Sequence, residues 1–397
     1  MSFCTTMVFM LSAIAQAGDA PKSDVGNFYP FLQDYSQKLT RPQSYLAMRP
    51  TDVEQWRDES RQKFAELLAY HPEPVPLNPV VLSEQKFDGY TQLTVRYSIT
   101  SDRTTDAFLL IPDGLTAPAP AVMALHDHSG IYYYGKEKLV APDPANKTLT
   151  ELIDQSYGGA PLAVELVKRG YVVLAPDAFY FGSQRLDPDT IPKSFTKDLE
   201  GLTPGTDEYI RAYNGIAGKH ETLVAKTIFS AGATWPGIML HCDRVCLDYL
   251  LTRPEVDPNR VASIGLSIGG YRSALLFAMD SRIKVGVVAG WMTTFESLLF
   301  DHLHSHTWML YVPRQQEYFD LPDLVVMNAP RPLLVLNCKR DNLFTLDGMR
   351  AAERRIQEAY TVMGAGEAFK CRYDDVHHSL GREAQGEAFG WIAQGLK

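Results

Sequence analysis

Six short segments read as apolar runs of strand-like length, the last of them interrupted by charges: "AVMALHD" (121–127), "YVVLAPDA" (171–178), "VASIGLS" (261–267), "KVGVVAG" (284–290), "PLLVLNC" (332–338) and "FKCRYDD" (369–375). A strand with one wet face alternates apolar and polar residues, whereas a near-continuous apolar strand is covered on both faces, as in a parallel sheet. Helical stretches lie between the segments: "PLAVELVKRG", "GIMLHCDRVCLDYLLTR", "GYRSALLFAMD", "LDGMRAAERRIQEAYTVMG" and the terminal "EAQGEAFGWIAQGL". This alternation predicts an α/β fold, a mostly parallel central sheet with helices on both faces. Upstream, "QLTVRYSI" (92–99) and "DAFLLIP" (106–112) alternate instead. They predict antiparallel strands opening the sheet.

Ahead of those strands, "PTDVEQWRDESRQKFAELLAYHP" carries a helical rhythm through Trp56, Phe64, Leu67 and Leu68, with Thr51 or Asp52 as cap. Residues 21–78 therefore read as an N-terminal helical extension and 79–397 as the main domain. Two intervals, about 179–236 and 291–328, exceed ordinary connections. Insertions at strand ends shape binding sites more than cores, and both read as walls or lids over a pocket.

The first twenty residues hold an apolar centre from Met7 to Ala15, then Ala13, Ala15 and Ala17 in an A-x-A pattern. Residues 1–20 are read as a signal peptide, although no Lys or Arg precedes the apolar run, and imply a secreted or periplasmic protein. At about nine residues this run is far short of the ~20 that span a bilayer, and no later segment spans. The net charge of −9 opposes a nucleic-acid partner, which requires a basic footprint. Five cysteines form no disulfide framework. Cys338 and Cys371 fall on late strands that could be neighbours, but buried free thiols are the expectation.

The chemistry is concentrated in "GLSIG" (265–269). A G-x-S-x-G pattern alone is weak, with about 0.1 chance matches expected in a chain of this size. Its setting is specific: a buried strand runs in and a helix opens immediately after, the context of a nucleophile elbow. Gly265 and Gly269 remove side chains where the turn brings neighbours together, and Gly270 lets the helix approach the sheet. Ser267 is the expected nucleophile, at a helix N-terminus that favours developing negative charge.

Such a serine needs an acid and then a base, in that chain order. Asp341 follows the strand "PLLVLNC" directly, whereas Asp347 sits where a helix start would use it. "YDDVHHSL" offers two histidines; His378, followed two residues on by the apolar Leu380, is preferred to His377, followed by Ser379. Oxyanion donors are expected from the backbone N–H groups of Ile268 and His128, the latter in "HDHSG". His126 and Asp127 are read as braces of that loop.

"HLHSH" places His302, His304 and His306 at alternate positions beside Asp301, but inside an insertion, so pocket wall is preferred to metal site. Aromatics near strand ends, Tyr132, Tyr133, Tyr134, Phe179, Tyr180, Phe181, Trp291 and Trp308, include candidates for a platform under a sugar or acyl group.

From about Tyr45 to the C-terminus the sequence resembles the α/β-hydrolase superfamily, in its dienelactone hydrolase-like and acetyl xylan esterase-like branch. The resemblance rests on "LHDHSGIYYYGKEKL", "PDAFYFGSQR", "RPEVDPNRVASIGLSIGGYRS", "APRPLLVLNCKRDNLF" and "YDDVHHSLGREAQGEAFGWI", in that order. It implies an α/β-hydrolase fold, a serine carboxylesterase without metal or organic cofactor, and a small-molecule or saccharide ester as substrate. It assigns Ser267 as nucleophile, Asp341 as acid and His378 as base. A peptidase or amidase with the same residues, and a non-catalytic hydrolase-like binding protein, are the alternatives. The sequence is silent on oligomeric state.

Overall fold

The computed structural model describes residues 22–397; the expected signal peptide over 1–20 lies outside them. One nine-stranded sheet runs through the protein in the order β1-β2-β3-β5-β4-β6-β7-β8-β9. Its strands are β1 (Val80–Phe87), β2 (Tyr90–Ser98), β3 (Thr104–Pro112), β4 (Ala119–Leu125), β5 (Val172–Pro176), β6 (Val256–Leu266), β7 (Val285–Ala289), β8 (Leu333–Cys338) and β9 (Phe369–Asp374). β1, β2, β3 and β5 pair antiparallel in turn, and β5, β4, β6, β7, β8 and β9 pair parallel. All six segments lie in the parallel part. "FKCRYDD", however, forms the edge strand β9, in which only Phe369 is buried, so it is not covered on both faces as expected: an edge strand has a neighbour on one side alone.

Burial explains why those runs were legible. β5, β7 and β8 are buried at every residue, because a core cluster lies on each face of the sheet. β1, which the sequence analysis does not anticipate, is exposed at all eight positions. As an edge strand it packs no core face, and so it carries no apolar alternation.

Upstream of the sheet lie helices Tyr29–Gln37, Tyr45–Met48 and Val53–Leu68. Of the two expected caps the third helix uses Asp52, whose carboxylate accepts the Gln55 N–H at 2.9 Å. Its anticipated apolar face is buried: Trp56, Phe64, Leu67 and Leu68 join the main core cluster. The interval 179–236 contains a 24-residue helix, Asp207–Ser230, after a run of short 3₁₀ turns. Glycines at 215 and 218 and a polar face hide that helix from a periodicity reading. The interval 291–328 is built of 3₁₀ turns and two short helices, Gln315–Tyr318 and Leu321–Val326. Among the described residues, no helix is long and apolar enough to cross a membrane.

Cys338 and Cys371 do lie on adjacent strands, and both are free thiols. The parallel register explains it, since Cys371 is opposite Val335 and Cys338 is opposite Asp374.

The helix Ile268–Met279, which leaves β6, has eleven of its twelve residues buried. An entirely covered helix has little room for charge, yet it carries Arg272. The guanidinium meets Asp243 of the helix Trp235–Leu251 through two hydrogen bonds of 3.0 and 2.6 Å, and both side chains are nearly inaccessible. Such a pair adds little net stability, but breaking it strands a buried charge, at a cost of about 3–5 kcal/mol. We expect Arg272→Met to lose that much in urea unfolding and Arg272→Met/Asp243→Leu to recover most of it. Equal stability of the single and double variants would contradict the argument.

Candidate active site

Ser267 closes the turn between β6 and the helix Ile268–Met279 at φ +60°, ψ −124°. A non-glycine residue at positive φ is strained, and surrounding contacts must hold it there. They do so by close backbone packing. A Cβ on Gly265 would come within 2.6 Å of the Leu125 carbonyl, and one on Gly269 within 2.8 Å of the His126 carbonyl. A Cβ on Gly270 would meet the Ala289 carbonyl at 2.5 Å. The Ser267 N–H donates to that same Ala289 carbonyl at 2.9 Å, tying the turn to the end of β7. The helix therefore begins at Ile268 with unpaired N–H groups in its first turn.

Asp341 follows β8 and is buried. Its Oδ1 accepts the Leu343 N–H at 2.8 Å, and its Oδ2 lies 2.6 Å from His378 Nδ1. His378 Nε2 is buried without a partner, and the ring shares a cavity with Ser267. Two features aim this imidazole. Leu380 is fully buried and its N–H donates to the Ser156 carbonyl at 2.7 Å, anchoring the loop two residues on. Gly290, at φ +57°, leaves space for the ring, since a Cβ there would sit 3.0 Å from His378 Cε1. His377 is exposed. Asp347 is exposed in the first turn of the helix Leu346–Val362, where a carboxylate favours the helix dipole. Gly290 was missed by the sequence analysis, because the group it makes room for is the distant His378 ring.

The loop after β4 carries His128 and is braced from beneath. His126 Nδ1 lies 2.9 Å from the Asp127 carbonyl, and its Nε2 accepts the Ala178 N–H at 3.1 Å. Burial, with Arg272 and Lys138 nearby, holds this imidazole well below its usual pKa, so it braces as a neutral ring. Asp127 Oδ1 accepts the Tyr157 hydroxyl at 2.6 Å, and Oδ2 accepts Ser129 Oγ. Lys138, which the sequence analysis did not single out, is fully buried and donates to the Asp127 and His128 carbonyls at 2.8 and 2.9 Å. The expectation of braces holds for His126 and Asp127.

The cavity measures about 460 Å³. Its walls combine Ser267, Ile268, His128 and His378 with Glu221 from the first long interval and residues 304–308 from the second. Of the aromatics singled out in the sequence, Tyr132, Trp291 and Trp308 line it; Tyr180 and Phe181 are buried in packing. The alternate histidines diverge. His302 pairs with Asp301, His304 pairs with Asp24 at 2.7 Å, and His306 Nε2–H donates to the Leu343 carbonyl at 2.9 Å. Burial pushes His306 down to about 4, keeping it neutral. Among the described residues, no cluster of His, Cys, Asp and Glu could hold a metal ion.

A family model described as "Abhydrolase family" matches residues 30–199. A Bacillus subtilis (strain 168) protein named "Putative hydrolase YtaP" is 26% identical over 315 residues, 79% of this chain and 91% of its own. A "putative acetyl xylan esterase" structure from Bacteroides fragilis NCTC 9343 is 17% identical, with TM-score 0.65 over 88% of this chain and 84% of its own. A glucuronoyl esterase from Solibacter usitatus is 14% identical, with TM-score 0.58 over 87% and 94% respectively. At such identities the structural likeness concerns the fold.

Burial drags Lys138 down to about 8, more than Asp127, Glu137 and Asp177 can offset. An unfolded lysine titrates near 10.4. Between these values the unfolded chain binds more protons than the folded one, so this residue's contribution to stability rises with pH from about 8 to about 10.4. Urea unfolding of wild type and Lys138→Met across that range checks it: the stability difference, wild type minus variant, is expected to grow with pH. A flat or falling difference would contradict it.

Proposed function

We propose that this chain, an α/β-hydrolase by its fold, is a hydrolase and specifically a serine carboxylesterase. The observation that carries the reading is one constellation. A serine strained at φ +60° opens a helix in the same cavity as an imidazole whose Nδ1 is bound to a buried carboxylate and whose Nε2 has no partner. Asp341 holds His378 with its proton on Nδ1, leaving the Nε2 lone pair for Ser267 Oγ. As Ser267 attacks the ester carbonyl, His378 takes the hydroxyl proton, and the imidazolium is stabilised by Asp341.

The carbonyl oxygen becomes an oxyanion. The Ile268 N–H, directly after the nucleophile and in the first turn of its helix, and the His128 N–H, on the braced loop, are the proposed donors. His378 then gives its proton to the departing alcohol, leaving Ser267 acylated. Water, deprotonated by the same Nε2, releases the acid.

A sugar ester is the favoured substrate class. Trp308 and Tyr132 give the cavity aromatic surface, Thr222, Ser305 and Thr307 give it hydroxyls, and no Lys or Arg lines it. Acetyl xylan and glucuronoyl esterases stand among the similar structures. Export through the 1–20 segment would place the enzyme where polymeric saccharide esters are found.

Hydrolysis of p-nitrophenyl acetate tests the reading. We expect Ser267→Ala and His378→Ala each to lose roughly 10⁴-fold or more in kcat, with His377→Ala within about threefold of wild type. Unchanged turnover in Ser267→Ala would overturn it.

A further inference from the structure

One buried carboxylate joins the three separate segments that wall the cavity, and no step above uses it. Glu221 lies on the helix Asp207–Ser230, with its side chain 9% exposed at the cavity wall. Its Oε2 accepts the Tyr132 hydroxyl at 2.7 Å and faces His128 Nε2 at 3.3 Å, both from the loop after β4. Its Oε1 accepts the Trp308 N–H at 2.7 Å and the Thr307 hydroxyl, both from the 291–328 interval. A carboxylate offers about four lone-pair sites, and four donors occupy them. Glu221 therefore has no capacity left for substrate.

The proton on His128 follows from its neighbours. Gly130 N–H donates to His128 Nδ1 at 3.0 Å, which requires a lone pair there. The ring proton is then on Nε2, pointing at Glu221. Both ring nitrogens are engaged, so the side chain whose own backbone N–H is the proposed oxyanion donor is pinned from two sides. Burial opposes charge on Glu221, yet the hydrogen bonds from His128, Thr307 and Tyr132 outweigh it and hold its carboxyl below the usual carboxylate range. The clamp is thus anionic at neutral pH.

We propose that Glu221 is a positioning residue for the oxyanion hole: by fixing His128 and Tyr132 against Thr307 and Trp308, it sets the place of the His128 N–H when the oxyanion forms. This deepens the esterase reading and rests on it.

Glu221→Gln keeps the shape but not the pattern. A carboxamide presents one oxygen and one NH₂. Wherever the NH₂ lies it faces a backbone N–H at Trp308 or the Nε2–H of His128, and neither can become an acceptor while Gly130 N–H binds Nδ1. The fold has other ties at this place, since Asn214 Oδ1 accepts the Tyr132 and Tyr133 N–H groups at 2.9 and 3.0 Å, and Lys138 holds the loop's carbonyls.

The experiment has three readouts on wild type and Glu221→Gln: labelling of Ser267 by a fluorophosphonate, kcat and KM for p-nitrophenyl acetate, and inhibition by phenylboronic acid, whose tetrahedral serine adduct presents an oxygen to the oxyanion hole. A displaced donor is expected to lower kcat about 10- to 100-fold, less than the ~10²–10³ that loss of a whole donor costs. KM is expected to stay within about threefold. Boronate affinity should fall by the same factor as kcat/KM, a correspondence that general loosening of the fold does not produce. Failure of the fluorophosphonate to label wild-type Ser267 would remove the esterase reading and this inference with it. Labelling of wild type, with kcat of Glu221→Gln within threefold of it, would overturn the Glu221 role alone. Should Glu221→Gln not fold, Thr307→Val leaves the carboxylate with three donors and is expected to lower kcat about three- to tenfold at constant KM; an unchanged kcat there also overturns the role.

Discussion

Ser267 can occupy φ +60° because β4, β6, β7 and the helix Ile268–Met279 meet backbone to backbone around it. A residue in that conformation costs on the order of 1–3 kcal/mol, and it persists only where its surroundings overdetermine it. Here the Leu125, His126 and Ala289 carbonyls occupy the space that side chains at 265, 269 and 270 would need. The same contact puts the end of β4, and hence the loop bearing His128, next to the start of that helix. Strain at the serine and nearness of the two proposed oxyanion donors are one packing event. Neither could be relaxed without the other.

That arrangement creates a second demand, because the loop after β4 must be rigid while its first residues, His126 and Asp127, lie out of water. Buried backbone carbonyls need donors, and here a lysine supplies them. Lys138 reaches the Asp127 and His128 carbonyls, while Lys136 pairs with the buried Asp177 at 2.9 Å. Asp177 in turn accepts the Lys136 and Ser183 N–H groups at 2.7 and 2.8 Å, fixing the segment after β5. Gly182, at φ +55°, lies so close to this carboxylate that a Cβ would overlap it. The floor of the site is thus a polar network in which each buried charge has a partner, and satisfied networks of this kind specify a single arrangement.

The parallel half of the sheet and its chemical residues were legible because their physics is local. Two-sided burial writes apolar runs, the elbow's crowding writes glycines around Ser267, and a loop anchored by a buried residue writes Leu380 two positions after His378. Asp341 could be told from Asp347 by position alone: one ends a strand, the other begins a helix. β1 was not legible, since an exposed edge imposes no pattern. Gly290 was not legible either, because its reason is the His378 ring, which arrives from 88 residues further along the chain.

The walls were the least legible part, and Glu221 shows why. Its partners lie 89, 93, 86 and 87 residues away at Tyr132, His128, Thr307 and Trp308. In the sequence it is one acidic residue on a polar helix, indistinguishable from Glu208 more than three turns before it. The difference is supplied wholly by tertiary structure, which takes that carboxylate out of water and surrounds it with donors. The elbow's design is short-ranged and can be read along the strand. The clamp's design is long-ranged, because its task is to hold together segments that the chain itself keeps apart.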